Sequence, residues 1–171
     1  MHRMYALARG AVATMMLAAG TASAQATKAQ AELASAMKGA NHVALAAAIE
    51  TASASGKPIS ARYEYEDGHL QLTVFVEKAG AFSEVFVDHT TGKVAKIDKI
   101  TSGDDMKEAK GENKAMAKAR SSIASAVAKV LAANPGYTAV DVSPVVEGKQ
   151  IVAEVTLMKN GQFKGASEPI G

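Results

Sequence analysis

The side chains of this 171-residue chain that could bind a metal ion or move a proton are its few histidines and its carboxylates. Beyond the first two dozen residues the histidines are His42, His69 and His89, which fall at a helix start, beside a hairpin turn and inside a loop. They form no His-Glu-x-x-His motif, so we interpret them as solvated side chains rather than as ligands of a transition metal.

No sequence motif predicts a catalytic site. The chain has no cysteine, which excludes thiol catalysis and thiolate metal ligation. It has neither the Gly-x-Ser-x-Gly pattern of a nucleophile elbow nor a glycine-rich phosphate-binding loop. We therefore predict that the protein is not an enzyme and needs no cofactor.

Five carboxylates on or beside neighbouring predicted strands suggest a different chemistry. They are Glu64, Glu66, Asp67, Glu77 and Glu84. A hard cation such as calcium takes about six to eight oxygen ligands, several of which a strand meander could supply. Because the sequence contains no EF-hand loop, we favour solvation of the outer sheet face, with binding of calcium or a trivalent metal ion as the alternative.

Residues 1–24 have the features of a signal peptide. A basic start is followed by an apolar stretch from Gly10 to Ala19 and by a small-x-small pattern that predicts cleavage after Ala24. The apolar stretch is too short to cross a membrane, so we expect a periplasmic protein without a membrane span. Cleavage would remove Arg3 and Arg9 from 19 basic residues and none of the 17 acidic ones. The balanced charge that remains argues against nucleic acid as a partner.

An internal repeat predicts the elements that position these side chains. The apolar helical stripe Leu45, Ile49 and Ala52 matches Ile123, Val127, Val130 and Leu131 at an offset of 78 residues. Breakers follow in both halves, and then alternating strand patterns that correspond at an offset of 81. The sequence thus predicts an α+β protein of two tandem modules, each one amphipathic helix packed on an antiparallel three-stranded β-meander.

The predicted boundaries follow from this repeat. The first module covers residues 25–100, with an additional helix near residues 28–38 and a main helix capped by Asn41. A linker covers residues 101–108, where Ser102 and Asp105 predict a capping box. The second module covers residues 109–171.

Phe75 is the apolar residue that the strand alternation places unexpectedly. It falls on the face opposite Val74 and Val76, which would leave an aromatic ring on the outer side of the sheet. We favour packing between the two modules for this ring, with contact to a protein partner as the alternative.

The turn after the third strand completes a pattern that resembles the PepSY domain. It is formed by Asp88, Thr91, Gly92 and Lys93 in the order Asp-x-x-Thr-Gly-Lys, and it follows an amphipathic helix and a meander. The resemblance implies a noncatalytic module of exported bacterial proteins, in a family that includes propeptides of thermolysin-like metallopeptidases. It implies recognition or inhibition of an envelope protein or peptide, such as a peptidase, and we expect a monomer or weak dimer.

Overall fold

The computed structural model describes residues 27–39 and 41–171, so the predicted signal peptide lies outside the described residues. Seven strands form one antiparallel sheet in the order β4-β3-β2-β1-β5-β6-β7. The strands are β1 (Lys57–Glu66), β2 (His69–Lys78), β3 (Ala81–Val87), β4 (Val94–Ile100), β5 (Thr138–Glu147), β6 (Gln150–Lys159) and β7 (Gln162–Pro169). The helices are α1 (Lys28–Ala36), α2 (Leu45–Ala52), α3 (Gly103–Met116) and α4 (Ile123–Ala133). The predicted α+β class with an antiparallel sheet is confirmed.

The strands connect through short turns whose residues set their geometry. Asp67 and Gly68, between β1 and β2, both have positive φ, as do Asn160 and Gly161 between β6 and β7. Two successive residues of positive φ form the type I′ turn, whose twist matches that of the flanking strands. Each hairpin therefore continues the sheet without changing the face on which its apolar side chains lie.

Helices cover both faces of the sheet. On one face Tyr63 of β1 donates a hydrogen bond of 2.5 Å to the carbonyl of Val43, just before α2. On the other face Ser60 donates a bond of 2.5 Å to Glu112 of α3. Since alternate residues of a strand point to opposite sides, α3 lies across the sheet from α2. Helix α4 packs beside α2.

The two halves of the sheet meet at a seam between β1 and β5. Ala61 pairs with Val142 there, and Arg62 pairs with Asp141. The buried apolar residues of both halves belong to one core cluster, which includes Leu45 from α2 and Ile123 from α4. The first half contains four strands rather than the three predicted, because the arm returning from the Asp88 turn pairs with β3 as β4.

The N-terminal caps predicted for α2 and α3 are both wrong. Helix α2 begins after Ala44, which makes no side-chain capping bond, and Asn41 lies outside the helix. The chain here is extended instead, and the N–H of Val43 donates to the carbonyl of His89. Ser102 does precede α3, but its side chain accepts no capping hydrogen bond, so the predicted capping box with Asp105 is absent.

None of the helices among the described residues is both long and apolar enough to cross a membrane.

Candidate functional site

The outer edge of β4 is one of the two open edges of the sheet. No described strand pairs with this edge. Val94 lies opposite Val87 and Ile97 opposite Val85, on the face that carries α2. Their side chains are 39% and 50% exposed, although their partners on β3 are buried. The edge therefore combines free backbone groups with apolar side chains at its rim.

Lysines give this edge a positive charge. Lys93, Lys96 and Lys99 are exposed along the turn and the strand, against the single acid Asp98. Lys96 forms an ion pair of 2.5 Å with Asp98, and its ammonium lies 5.7 Å from the ring centre of Phe86. An extended segment that pairs with β4 would thus meet an apolar and basic surface.

The opposite edge of the sheet, β7, is more fully engaged. Lys164 donates to the side-chain oxygen of Asn134 at 2.6 Å, and its ammonium lies 4.2 Å from the ring centre of Tyr137. Glu168 pairs with Lys129 at 2.8 Å. Pro169 has no N–H with which to bond an added strand. Strand addition is accordingly favoured at β4 over β7.

The Asp88 turn leads into β4 and is held by its own hydrogen bonds. The Asp88 carboxylate accepts from the N–H groups of Thr90 at 2.9 Å and Thr91 at 2.7 Å. These bonds hold the pKa of Asp88 below its usual value. Backbone bonds between Asp88 and Gly92 and between Asp88 and Lys93 close the turn. The turn thereby fixes where β4 begins.

Gly92 is the residue of this turn that should tolerate substitution least. Its φ is +73°, and an added Cβ would lie 3.5 Å from a methyl group of Val43. Gly92→Ala should therefore destabilise the protein by about 1–2 kcal/mol through backbone strain. Gly111→Ala is the matched control, because Gly111 is a helical residue of α3 whose Cβ would meet nothing within 4 Å. It should stabilise by about 0.5–1 kcal/mol. Thermal unfolding distinguishes the two signs, and a Gly92→Ala protein as stable as wild type would contradict the strain argument.

The structure brings two of the three histidines together, which the sequence did not predict. Nδ1 of His42 lies 3.2 Å from Nδ1 of His89, and the ring centres are 5.1 Å apart. His42 is half-buried, and burial together with the nearby His89 lowers its pKa. His69 is exposed at the start of β2. His42 and His89 are thus in contact with each other, and both side chains stay partly exposed.

The five carboxylates have separate roles in the structure. Glu64 forms an ion pair of 3.0 Å with Arg62, and Glu77 accepts from the N–H of Gly80 at 2.6 Å. Asp67 is exposed in its turn. Burial, and then neighbouring carboxylates, raise the pKa values of Glu66 and Glu84. Within residues 27–39 and 41–171, no three histidine or acidic side chains form a group that could hold a metal ion.

Phe75 is covered and not exposed. Its side chain is 3% exposed, and the guanidinium carbon of Arg62 lies 4.5 Å from its ring centre. The cover comes from the adjacent strand β1, since Arg62 and Phe75 lie on the same face of the sheet. The ring of Phe75 is thus buried within the sheet's covered face, and its contact with a protein partner stays a prediction.

A cavity of ≈ 240 Å³ lies between the start of β1, helix α2, and the segment that joins the end of α3 to the start of α4. Ile49, Pro58, Met116 and Ile123 give it an apolar lining, and Lys57 and Arg120 add positive charge. Its lining contains no carboxylate or histidine that could serve as a general base.

No protein-family model matches the chain, and no curated protein and no solved structure is significantly similar to it. The resemblance to the PepSY domain accordingly stays a prediction.

Proposed function

We propose that this chain is a noncatalytic, exported binding protein that recognises an extended segment of an envelope protein by strand addition at β4. The observation that carries the proposal is the open edge of β4, with Val94 and Ile97 exposed beside it. Main-chain hydrogen bonds would supply affinity in this mode, and pockets for alternate side chains would supply specificity.

The internal repeat explains why β4 and β7 are the outer strands of the sheet. We infer that the halves α2-β1-β2-β3 and α4-β5-β6-β7 are two copies of one module. In support, Ala61 and Val142 are equivalent positions at the offset of 81, and they pair with each other at the seam. An interface in which equivalent residues of two copies pair with each other has two-fold symmetry. The seam occupies the first strand of each copy and leaves β4 and β7 outermost.

The charge of the β4 edge indicates the kind of segment it would bind. Lys96 and Lys99 would bring like charges together if two β4 edges paired, which disfavours pairing between two copies of the chain. A segment that alternates aliphatic and acidic residues would place its aliphatic side chains on the face of Ile97 and its acidic side chains on the opposite face, beside Lys96. Through the resemblance to PepSY, an envelope peptidase is the first protein partner to test.

Peptide binding tests the proposal directly. The probe is a blocked, fluorescent peptide alternating valine and glutamate, matched in length to the seven residues of β4. It should bind the chain more tightly than the same peptide with lysine for glutamate. Methylation of its backbone nitrogens should abolish binding, because strand addition depends on main-chain hydrogen bonds. Fluorescence polarisation at low and moderate salt measures all three affinities.

Two variants locate the binding edge. Ile97→Asp should weaken binding by about tenfold or more, since burial of an isoleucine side chain contributes about 1.5–3 kcal/mol. Val146→Asp is the control, because Val146 is 56% exposed near the end of β5 in the other half of the sheet. Equal binding of the acidic and basic peptides, tolerance of N-methylation, or equal effects of the two variants would each reject strand addition at β4.

Binding of a hard cation by the sheet carboxylates is the second hypothesis. Calcium needs about six to eight oxygen ligands. Glu64 and Glu77 are engaged by Arg62 and Gly80, and the described residues form no group of three or more potential ligands. The geometry therefore favours the first proposal.

A further inference from the structure

The contact between His42 and His89 has a geometry that suits metal chelation. The two residues are 47 positions apart, one in the extended segment before α2 and the other in the turn between β3 and β4. Their Nδ1 atoms lie 3.2 Å apart. A zinc ion holds histidine nitrogens at about 2.0–2.1 Å, so two tetrahedral ligands stand about 3.3 Å from each other. The observed separation therefore matches two neighbouring ligands of one ion as well as a single N–H···N hydrogen bond.

The surroundings of His42 favour the form of the ring that binds metal through Nδ1. Nε2 is buried and makes no regular hydrogen bond with the described residues, whereas Nδ1 faces His89. Nδ1 is thus the nitrogen of His42 that can share a metal ion with His89, and the proton of the neutral ring would then lie on Nε2.

The backbone holds both imidazoles in place without a metal ion. The N–H of Val43 donates to the carbonyl of His89 at 2.8 Å, and the carbonyl of Val43 accepts from Tyr63. Asp88 fixes the turn that carries His89 through two hydrogen bonds to backbone N–H groups. The hydroxyl of Thr90 lies 3.5 Å from Nδ1 of His89, so a polar oxygen borders the pair. A chelating pair is therefore preorganised, which reduces the entropy lost on binding.

We propose that His42 and His89 form a two-imidazole site for a borderline divalent transition-metal ion, Zn²⁺ or Cu²⁺, with water completing the coordination. Imidazole nitrogen suits these ions, whereas calcium prefers oxygen ligands. The site is separate from the β4 edge in its chemistry and requires no strand addition.

Thermal unfolding of the full, untagged chain with Zn²⁺, Cu²⁺ or Ca²⁺ tests the proposal. Zn²⁺ and Cu²⁺ should raise the Tm, because an ion that binds only the folded state stabilises it, and chelator should reverse the rise. The rise should shrink at acidic pH, where protons compete for the imidazoles. Ca²⁺ should have no effect. A rise with Ca²⁺ that survives replacement of both histidines would instead support the carboxylate hypothesis and count against this site.

Variants and spectra identify the ligands. His42→Asn and His89→Asn should each weaken zinc affinity by at least about tenfold in calorimetry, as loss of one of two ligands requires. His69→Asn is the control, since His69 is an exposed histidine and should retain wild-type affinity. If a variant folds poorly, long-range ¹H–¹⁵N spectra of the wild-type protein identify the ligands instead. Zinc should change the ¹⁵N chemical shifts of Nδ1 in His42 and His89 and leave those of His69 unchanged. Absence of a zinc effect, or a shift at His69 alone, would show that the pair is only a hydrogen bond.

Discussion

Replacing Leu45 by alanine should lower the free energy of unfolding by about 2–5 kcal/mol and should weaken the whole molecule rather than its first half. Leu45 is 2% exposed in α2, which packs on β1 and β2 and against α4. Truncation would leave a cavity between these elements. Ile123→Ala, at the repeat-equivalent position in α4, should have a similar effect because Ile123 is 1% exposed in the same core cluster.

We also expect both halves of the protein to unfold in a single cooperative transition. The β1–β5 pairing joins the two halves into one sheet, and α2 and α4 share a core, so neither half buries its apolar face alone. Urea unfolding should give the same midpoint by circular dichroism and by NMR signals of Val74 in β2 and Val155 in β6. Both midpoints should fall together in Leu45→Ala, while Glu50→Ala, on the exposed face of α2, should change stability by less than about 0.5 kcal/mol. Separate midpoints would show two independently stable modules.

The local elements were predictable because periodicity and turn chemistry act over short distances. Leu45, Ile49 and Ala52 share one helical face, and all three are buried in α2. Ile59, Ala61 and Tyr63 alternate along β1 and are buried in the same way. Glycine-containing turns then set the strand lengths. These features yielded the α+β class and most strand positions without information about distant residues.

The arrangement of the elements was not predictable by the same means. Alternation fixes the face on which Ala61 lies, but it does not determine that Val142 is its neighbour. Likewise, the polar residues at the start of α3 indicated a linker and the beginning of a helix. They did not indicate that Glu112 of this helix would be buried against Ser60, on the face of the sheet opposite α2. The burial of Phe75 depends on this same face, and strand alternation alone does not determine that Arg62 covers its ring.

The candidate sites divide in the same way. An edge strand was foreseeable, because any open sheet has two outer strands, but the choice of β4 depends on which side chains its neighbours leave exposed. The proximity of His42 and His89 depends on the docking of the Asp88 turn against Val43. No spacing in the sequence encodes that contact. The turn motif around Asp88 was the one local signal near it.

Replacing Arg62 by alanine should cost about 3 kcal/mol at neutral pH, because it would leave several carboxylates without their central cation. Arg62 pairs with Glu64 at 3.0 Å and with Glu108 of α3 at 3.6 Å, and its side chain is only 20% exposed. It also covers Phe75 and thus contributes apolar contact as well as charge. Arg62→Lys should recover part of the loss, since lysine keeps the charge but not the planar contact with two carboxylates.

The cost of Arg62→Ala should depend on pH in a defined direction. Burial raises the pKa values of Glu66 and Glu84, and the positive charge of Arg62 partly opposes that rise. Without the guanidinium these pKa values should rise further, so the folded variant takes up protons sooner than the unfolded chain as pH falls. The stability deficit should therefore be largest near pH 7 and shrink towards pH 4, as urea unfolding at both pH values would measure. Arg120→Ala is the control: Arg120 is exposed, and its loss should cost less than about 0.5 kcal/mol at either pH. A deficit for Arg62→Ala that stays constant with pH would mean that its contact with Phe75, rather than its charge, stabilises this face of the sheet.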